Sequence, residues 1–541
     1  MVLSPSPRLT DSTHTPQDPG GRARPVHHDA VVVGGGAAGL AAAWELCQHG
    51  LRPLLVEARG YTGGLVARGE VAGVALDLGA EGFVLRGTAV SEIAQACGLE
   101  VVPPSGGGAH LFLPPLPGAT RAPHRHPAGG WELHPFPADS FLGVPADPQA
   151  ADVRQVLGPH GARRAAQDAR LGPLVGTGPQ DPADLAAFVR ARMGQAVLER
   201  LVRPIVAGIH TADPADLAAD NVAPGLRDAT RRLGSLQAAV AELLAQRRAR
   251  QGGRTVDVTT VGGLSALTQA MRTAVQEAGG QVRTRTGAQV LRPAASGGWE
   301  LELTPTGPGP TPSAEPVPTG GPELVSTPLV VVACSAEAAQ RLLRGAGVAA
   351  DLSVPEGSPI ARLTLVARSP GLDAAPVGSG LLVAPVSAGT PPVAAKALSH
   401  LSRKWPWVGR ELRRLHGPHT HALRLSYGRP GQPRPEVSLV QALTDVEALT
   451  GVRISPEQVV DHKLVRWDGT LPPISASYLE QARAVVGQAE ARPGLGLTGA
   501  WVAGSGIASV VAHARAQAAR LAATYESRPP EAGTSSIKEE P

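Results

Sequence analysis

The chain is poor in lysine, cysteine, methionine and aromatic residues, and each shortage excludes something. Only four of its fifty basic residues are lysines, Lys396, Lys404, Lys463 and Lys538, and they are scattered, so no basic block forms a nucleic-acid footprint. Aromatics make up 3% of the chain, which argues against an aromatic cage or a base-stacking platform. The three cysteines, Cys47, Cys97 and Cys334, are odd in number and far apart. That pattern excludes a disulfide framework or a CxxC metal site and fits a reducing cytoplasm. The longest apolar run, around Ala30 to Trp44, is broken by glycines and too short to span a membrane. Peripheral membrane contact stays open. Met1 to His28 is polar, Pro-rich and without an apolar signal core, so residues 1–28 are expected to be a disordered tail.

What is present describes a globular protein. With 541 residues, 43% hydrophobic and 18% charged, the chain is long enough for two or more domains. Its 65 glycines and 52 prolines require many turns and loops. Ala30-Val31-Val32-Val33 has the character of a buried strand, Ala37 to Gln48 of a helix closed by Gly50, and Leu54 to Glu57 of a second strand. A βαβ unit in this position predicts a parallel sheet with nucleotide-binding capacity. Residues 181–251 are helical in periodicity. Ala361 to Arg368, His421 to Tyr427 and Val459 to Trp467 alternate like half-buried strands. Thr304 to Thr327 is rich in Pro, Gly, Ser and Thr and is expected to be a long surface loop within a hairpin.

The sharpest motif is Gly34-Gly35-Gly36-Ala37-Ala38-Gly39, a GxGxxG between strand and helix. Its first glycine allows a tight turn, Gly36 lets the backbone approach a pyrophosphate, and Gly39 lets the helix pack close to the strand. The helix-start amides then face the phosphates. Glu57 stands at the end of the second strand, where a carboxylate accepts hydrogen bonds from ribose hydroxyls and disfavours a 2′-phosphate. NAD and FAD share this fingerprint. The text that follows, Ala58-Arg59-Gly60-Tyr61-Thr62-Gly63-Gly64, is more specific and resembles the FAD-binding motif of the amine oxidase/protoporphyrinogen oxidase superfamily. Leu76-Asp77-Leu78-Gly79-Ala80-Glu81-Gly82-Phe83 is similar to that superfamily's next flavin-contacting loop. Leu495 to Ala500, leading through Gly504-Ser505-Gly506-Ile507 into a last helix, is similar to its closing flavin motif. The resemblance implies FAD, held by Gly34, Gly35, Gly36, Ala37, Ala38, Gly39, Glu57, Ala58, Gly63, Gly64, Leu65, Gly79, Ala80, Glu81, Gly82, Val282, Gly499, Ser505, Gly506 and Ile507. Tyr61 and Leu65 depart from the pattern, standing where the superfamily usually carries cations.

Further segments narrow the resemblance. Leu201 to Pro214, with Arg203-Pro204-Ile205-Val206-Ala207-Gly208 at its centre, resembles a segment of the oxygen-dependent protoporphyrinogen/coproporphyrinogen oxidases. So do Phe188 to Gly194, Ser402 to Pro406, Leu423 to Arg429, and Val465 to Trp467 followed by Leu471 to Pro473. That resemblance implies a porphyrinogen substrate and molecular oxygen as acceptor, with hydrogen peroxide as product, in haem synthesis. The cofactor then carries the hard chemistry, so no catalytic acid or base is assigned. His110, Arg424 and Arg429 are candidate contacts for substrate propionates. His124-Arg125-His126 lacks acidic or Cys partners at ligand spacing, so no metal is expected. A related amine oxidase, a carotenoid desaturase and a non-catalytic flavin-binding scaffold remain alternatives.

The expected fold is α/β, a discontinuous Rossmann-like FAD-binding domain interleaved with an α+β substrate domain that carries a helical subdomain. The FAD-binding domain is expected over 29–100, 253–348 and 492–524, and the substrate-binding domain over 101–252 and 349–491. Residues 525–541 are expected to be a second disordered tail. The expected location is cytoplasmic or membrane-peripheral.

Overall fold

Ala30–Val33 and Pro53–Glu57 are buried along almost their whole length, so the sheet that holds them must be covered on both faces. They pair in parallel around the helix Ala37–Gln48. Gln281–Thr284, Val330–Val332 and Leu495–Leu497 join the same sheet, also in parallel. Numbered along the chain, these five strands lie in the order 3-2-1-4-5. The strand order therefore reverses beside the first strand, which opens a crevice at the carboxyl edge. Helices Ala37–Gln48, Leu264–Glu277 and Ile507–Glu526 cover one face of the sheet through Ala30, Val32, Leu55 and Val331. Val31, Leu54, Val56, Val330 and Leu495 enter a second core, shared with an antiparallel sheet and the helices Ala336–Gly345 and Ala476–Glu490. The computed structural model describes residues 25–85, 87–116, 130–251, 257–311, 314–349, 352–385, 391–470, 474–504 and 506–527.

A second, seven-stranded sheet runs Val459–Thr470, Ser358–Arg368, Thr420–Tyr427, Ala397–His400, Gly380–Val383, Ala109–Leu113, Glu132–Pro135. Its neighbours are antiparallel except Gly380–Val383 with Ala109–Leu113. Side chains alternate across a strand with period two, and here the alternation sorts function from packing. Leu363, Leu365, Leu423, Leu425 and Tyr427 enter a core with the helices Leu185–Met193, Arg203–His210 and Leu236–Gln251. Arg362 and Arg424, on the intervening positions, reach instead to the backbone of residues 77–79. The molecule is thus an α/β protein in which a Rossmann-like unit, discontinuous in sequence, is interleaved with an α+β unit.

Several expected boundaries need correction. The tail placed at 1–28 ends earlier, because Val26–His27 pairs in parallel with Val325 and Ser326. A sheet edge offers free backbone groups that even two residues can satisfy. Residues 1–24 and 528–541 lie outside the described residues, as do His124-Arg125-His126 and Leu471 to Pro473. The tail placed at 525–541 also starts too early, since the last helix runs to Glu526 and Tyr525 packs against the core. Val101–Val102, assigned to the substrate side, pairs with Thr259 and Thr260. Ala476–Glu490, also assigned there, packs Tyr478, Ala482, Val485 and Ala489 beneath the parallel sheet. It feeds the strand Leu495–Leu497 through a short turn, so it must lie against that strand's own sheet. The loop expected over 304–327 is partly strand: Trp299–Gly307 continues through Gly307 and pairs with Val317–Pro318.

Candidate cofactor and substrate site

The glycine turn sits where the strand order reverses. Gly34 has φ +110°, and a Cβ there would lie 2.7 Å from the Ala333 carbonyl oxygen at the end of the adjacent strand. Only glycine combines that dihedral with that approach. A Cβ on Gly39 would lie 1.8 Å from the Gly34 carbonyl oxygen, so the helix is seated directly on the turn. Gly36 differs: a Cβ there would meet nothing within 4 Å. It precedes a helix whose start has no side-chain cap and no acidic residue, with Ala37 and Ala38 in the first turn. The first-turn amides of a helix need an outside acceptor. Gly63 and Gly64 close the other side, Gly63 donating its N–H to the Gly35 carbonyl at 2.8 Å.

Glu57 ends the second strand beside this cradle. One carboxylate oxygen accepts the Gly35 N–H and the other the Arg59 N–H, each at 2.7 Å. Burial pushes its carboxyl above the usual range, against those two donors and Arg59. Ala58 accepts from the Thr306 hydroxyl, and Val282 sits on the strand beside Pro53–Glu57, opposite Leu55. An open space between uncapped helix amides and a strand-end carboxylate fits the pyrophosphate and ribose of a dinucleotide. Gly34, Gly35, Gly36 and Glu57 would hold these parts of FAD, which when bound supplies two-electron oxidation. The helix Ile507–Glu526 likewise begins at Gly506 without a cap or a first-turn acid. Its preceding strand ends at the same edge of the sheet. Gly499, at φ +130°, makes the connecting turn. Ser505 lies outside the described residues.

The loop from Asp77 to Gly82 is tied down from four remote segments. Asp77 accepts the N–H groups of Leu264 at 2.7 Å and Ser265 at 2.9 Å, capping the helix Leu264–Glu277. Gly79 has no room for a side chain, because a Cβ would lie 2.0 Å from the Leu65 carbonyl oxygen. Ala80 donates its N–H to that same oxygen, and Gly82 abuts Val258. Glu81 pairs with Lys404 and Arg424, each at 2.5 Å. Burial alone would raise its carboxyl, but Arg424, Lys404 and Arg362 hold it down to about 2. A carboxyl depressed in the folded state stabilises above its unfolded value near 4.5, and that contribution is lost as pH falls from there toward 2. Glu81→Gln is therefore expected to flatten the acid limb of stability by about 3 kcal/mol over that interval. Urea unfolding at stepped pH measures it, and an unchanged acid limb would contradict the pairing.

The three substrate candidates do not come together. Arg424 is 6% exposed, with its guanidinium on Glu81 and on the carbonyl oxygens of Asp77 and Gly79. Its terminal nitrogens thereby orient the loop. His110 lies three strands away, about 14 Å at the usual strand spacing, and donates Nδ1–H to the Val377 carbonyl. Arg429 lines a cavity of about 200 Å³ with Arg203, Pro204, Lys396 and Gln432. Arg362 and Lys396 were missed in the sequence. Both sit beside alternating strand residues, a pattern that marks a half-buried strand without saying what it faces.

Comparison with known proteins agrees with this geometry. The model for flavin containing amine oxidoreductases matches residues 37–344. The coproporphyrinogen III oxidase of Propionibacterium freudenreichii subsp. freudenreichii is 30% identical over 230 residues, covering 42% of this chain and 40% of that enzyme. The chain thus spans two fifths of that relative. The coproporphyrinogen III oxidase of Mycobacterium tuberculosis strain H37Rv is 27% identical over 495 residues, 89% of this chain and 94% of that one. Among solved structures, a protein of Exiguobacterium sp. 255-15, provisionally described as a protoporphyrinogen oxidase, superposes with a TM-score of 0.69 at 21% identity. The superposition covers 92% of this chain and 99% of that one. The glycine cradle, the strand-end acid and the match over residues 37–344 lead to one conclusion: the chain belongs to the flavin containing amine oxidoreductases and is an FAD-dependent oxidoreductase.

Proposed function

We propose that this enzyme oxidises a porphyrinogen, coproporphyrinogen III at least as well as protoporphyrinogen IX, to the porphyrin, with O2 as acceptor and hydrogen peroxide as product. The observation that carries the reading is similarity along 89% of the chain to an enzyme named coproporphyrinogen III oxidase. The chemistry agrees with it. Oxidation of a reduced macrocycle gains aromaticity, so the protein needs to hold the substrate against the flavin more than to supply a nucleophile. The enzyme also carries cations suited to a substrate with several carboxylates, since Lys396 and Arg429 have no carboxylate within ion-pair distance among the described residues. No described helix is long and apolar enough to cross a membrane.

The test is aerobic incubation of the purified yellow protein with each porphyrinogen, read as porphyrin fluorescence and peroxide. We expect both to be oxidised, with kcat/KM for coproporphyrinogen III equal or higher. Flavin that stays oxidised on anaerobic mixing with both porphyrinogens would overturn the reading. NADH is expected not to reduce the flavin, because the chain carries one dinucleotide fingerprint.

A further inference from the structure

Helix geometry at residues 195–210 is irregular for a reason. Leu198–Val202 forms a π-turn that runs into the helix Arg203–His210. Pro204 has no N–H to give, and a widened turn accommodates it. The helix ends at Thr211, whose φ is +53°. A β-branched residue with that dihedral is strained, and the surroundings must hold it there. What Thr211 presents is its hydroxyl, which accepts a hydrogen bond from Lys396 Nζ at 3.1 Å.

Lys396 is 7% exposed and has no carboxylate within ion-pair distance among the described residues. Burial, then Arg362 and Arg429, push its ammonium down to about 7. Among the described residues, Arg429 makes only long contacts, to the carbonyl oxygens of Val383 at 3.4 Å and Ala395 at 3.5 Å. Arg203, also on the lining, is paired with Glu199 and with Asp213, a carboxylate that itself borders the cavity. The cavity that these residues line has a volume of about 200 Å³. That is below the ~300–1,000 Å³ of a pocket enclosing a whole ligand. It suits a carboxyethyl arm rather than a macrocycle. Arg362, whose charge Lys396 feels, continues the row to the Gly79 carbonyl on the flavin-side loop. Burying Lys396 beside Arg429 without a carboxylate between them is costly, and an anion entering the cavity would lower that cost.

We propose that Lys396 and Arg429 form a carboxylate subsite that seats a propionate arm of the substrate, while its macrocycle extends past Arg362 toward the Asp77–Gly82 loop. This rests on the porphyrinogen reading. A carboxylate there would take up the free Lys396 donors and a forked pair from Arg429.

The test is titration of the flavin-loaded enzyme with coproporphyrin III and with its tetramethyl ester, followed by fluorescence quenching. Wild type is expected to bind the acid at least ten-fold more tightly than the ester. Lys396→Met and Arg429→Met should each weaken binding of the acid ten-fold or more, leave the ester unaffected, and erase most of the discrimination. Lys396→Arg should restore it. Acid affinity unchanged in both Met variants, with turnover of porphyrinogen intact in wild type, would overturn the subsite and leave the oxidase reading standing. Equal affinity of wild type for acid and ester would overturn it without any variant. Neither binding nor turnover by wild type would overturn both.

Discussion

Gly36→Val is expected to fold, to purify colourless, and to bind added FAD more than 100-fold more weakly than wild type. Two observations separate this position from its neighbours. Gly36 has φ −71° and ψ −178°, extended backbone that any residue adopts. A Cβ at Gly36 also meets no protein atom within 4 Å. Valine therefore costs the apoprotein little, yet its methyl groups would stand where a pyrophosphate must approach the helix amides. Loss of 100-fold corresponds to about 2.7 kcal/mol, comparable to one or two charge-assisted hydrogen bonds. Glu57→Ala should also weaken FAD, by roughly 1.5–3 kcal/mol for each charge-assisted bond lost. It is a less clean variant, because the Gly35 and Arg59 amides lose their acceptor as well. Gly39→Ala is the contrasting control, expected not to fold, since its Cβ would overlap the Gly34 carbonyl. The ratio of flavin to protein absorbance and a titration of apoprotein with FAD measure all three. Full flavin occupancy in Gly36→Val would refute the placement of the pyrophosphate.

The cofactor side was largely legible in the sequence, because its parts are contiguous. Ala30–Val33, the glycine turn and Glu57 fall within 28 residues, and each has a local signature: a doubly buried strand, a φ that only glycine adopts, an acid at a strand end. The loop at Asp77–Gly82 was legible as a motif but not as a structure. What holds it comes from Leu264, Lys404 and Arg424, and no periodicity connects positions so far apart. The same limit applies to Arg424. An arginine on an alternating strand has the same pattern whether it faces a substrate or a buried glutamate, and only the register of Thr364 with Arg424 puts it over the Asp77–Glu81 loop. Lys396 could have been found by rarity, since a chain with four lysines places one between Ala395 and the strand Ala397–His400. Ala476–Glu490 was assigned by its place in the chain, when its apolar spacing and the strand that follows it carried the better information.

The helical unit around Leu185–Met193 depends on a charge that never meets solvent, and its loss should be costly. Arg192 has 0% of its surface exposed. Its Nε donates to an Asp168 carboxylate oxygen at 2.5 Å, and its terminal nitrogens donate to the carbonyls of Gly172 at 2.5 Å, Asp168 at 3.0 Å and Gly234 at 2.9 Å. The other Asp168 oxygen accepts the Gln237 N–H at 2.8 Å, in the first turn of the helix Leu236–Gln251. One guanidinium thus ties together Leu185–Met193, the turn after Asp168 and the start of Leu236–Gln251, in the core that also seats Arg203–His210. Removing one partner of a buried pair leaves the other uncompensated, so Arg192→Met is expected to cost about 3–5 kcal/mol. Arg192→Lys should recover little, because an ammonium on a single stem does not reproduce a planar fork reaching several acceptors at once. Adding Asp168→Asn to Arg192→Met should cost less than the two single changes summed, since the stranded carboxylate is then gone. The loss should be local at first: amide exchange should accelerate in Leu185–Met193 and Leu236–Gln251 while Ala37–Gln48 keeps its protection and the flavin stays bound. Urea unfolding together with hydrogen exchange distinguishes this from a general effect. If Arg192→Met unfolded within about 1 kcal/mol of wild type, the buried pair would be no more than packing, and the helix Arg203–His210 would owe its position to its apolar contacts alone.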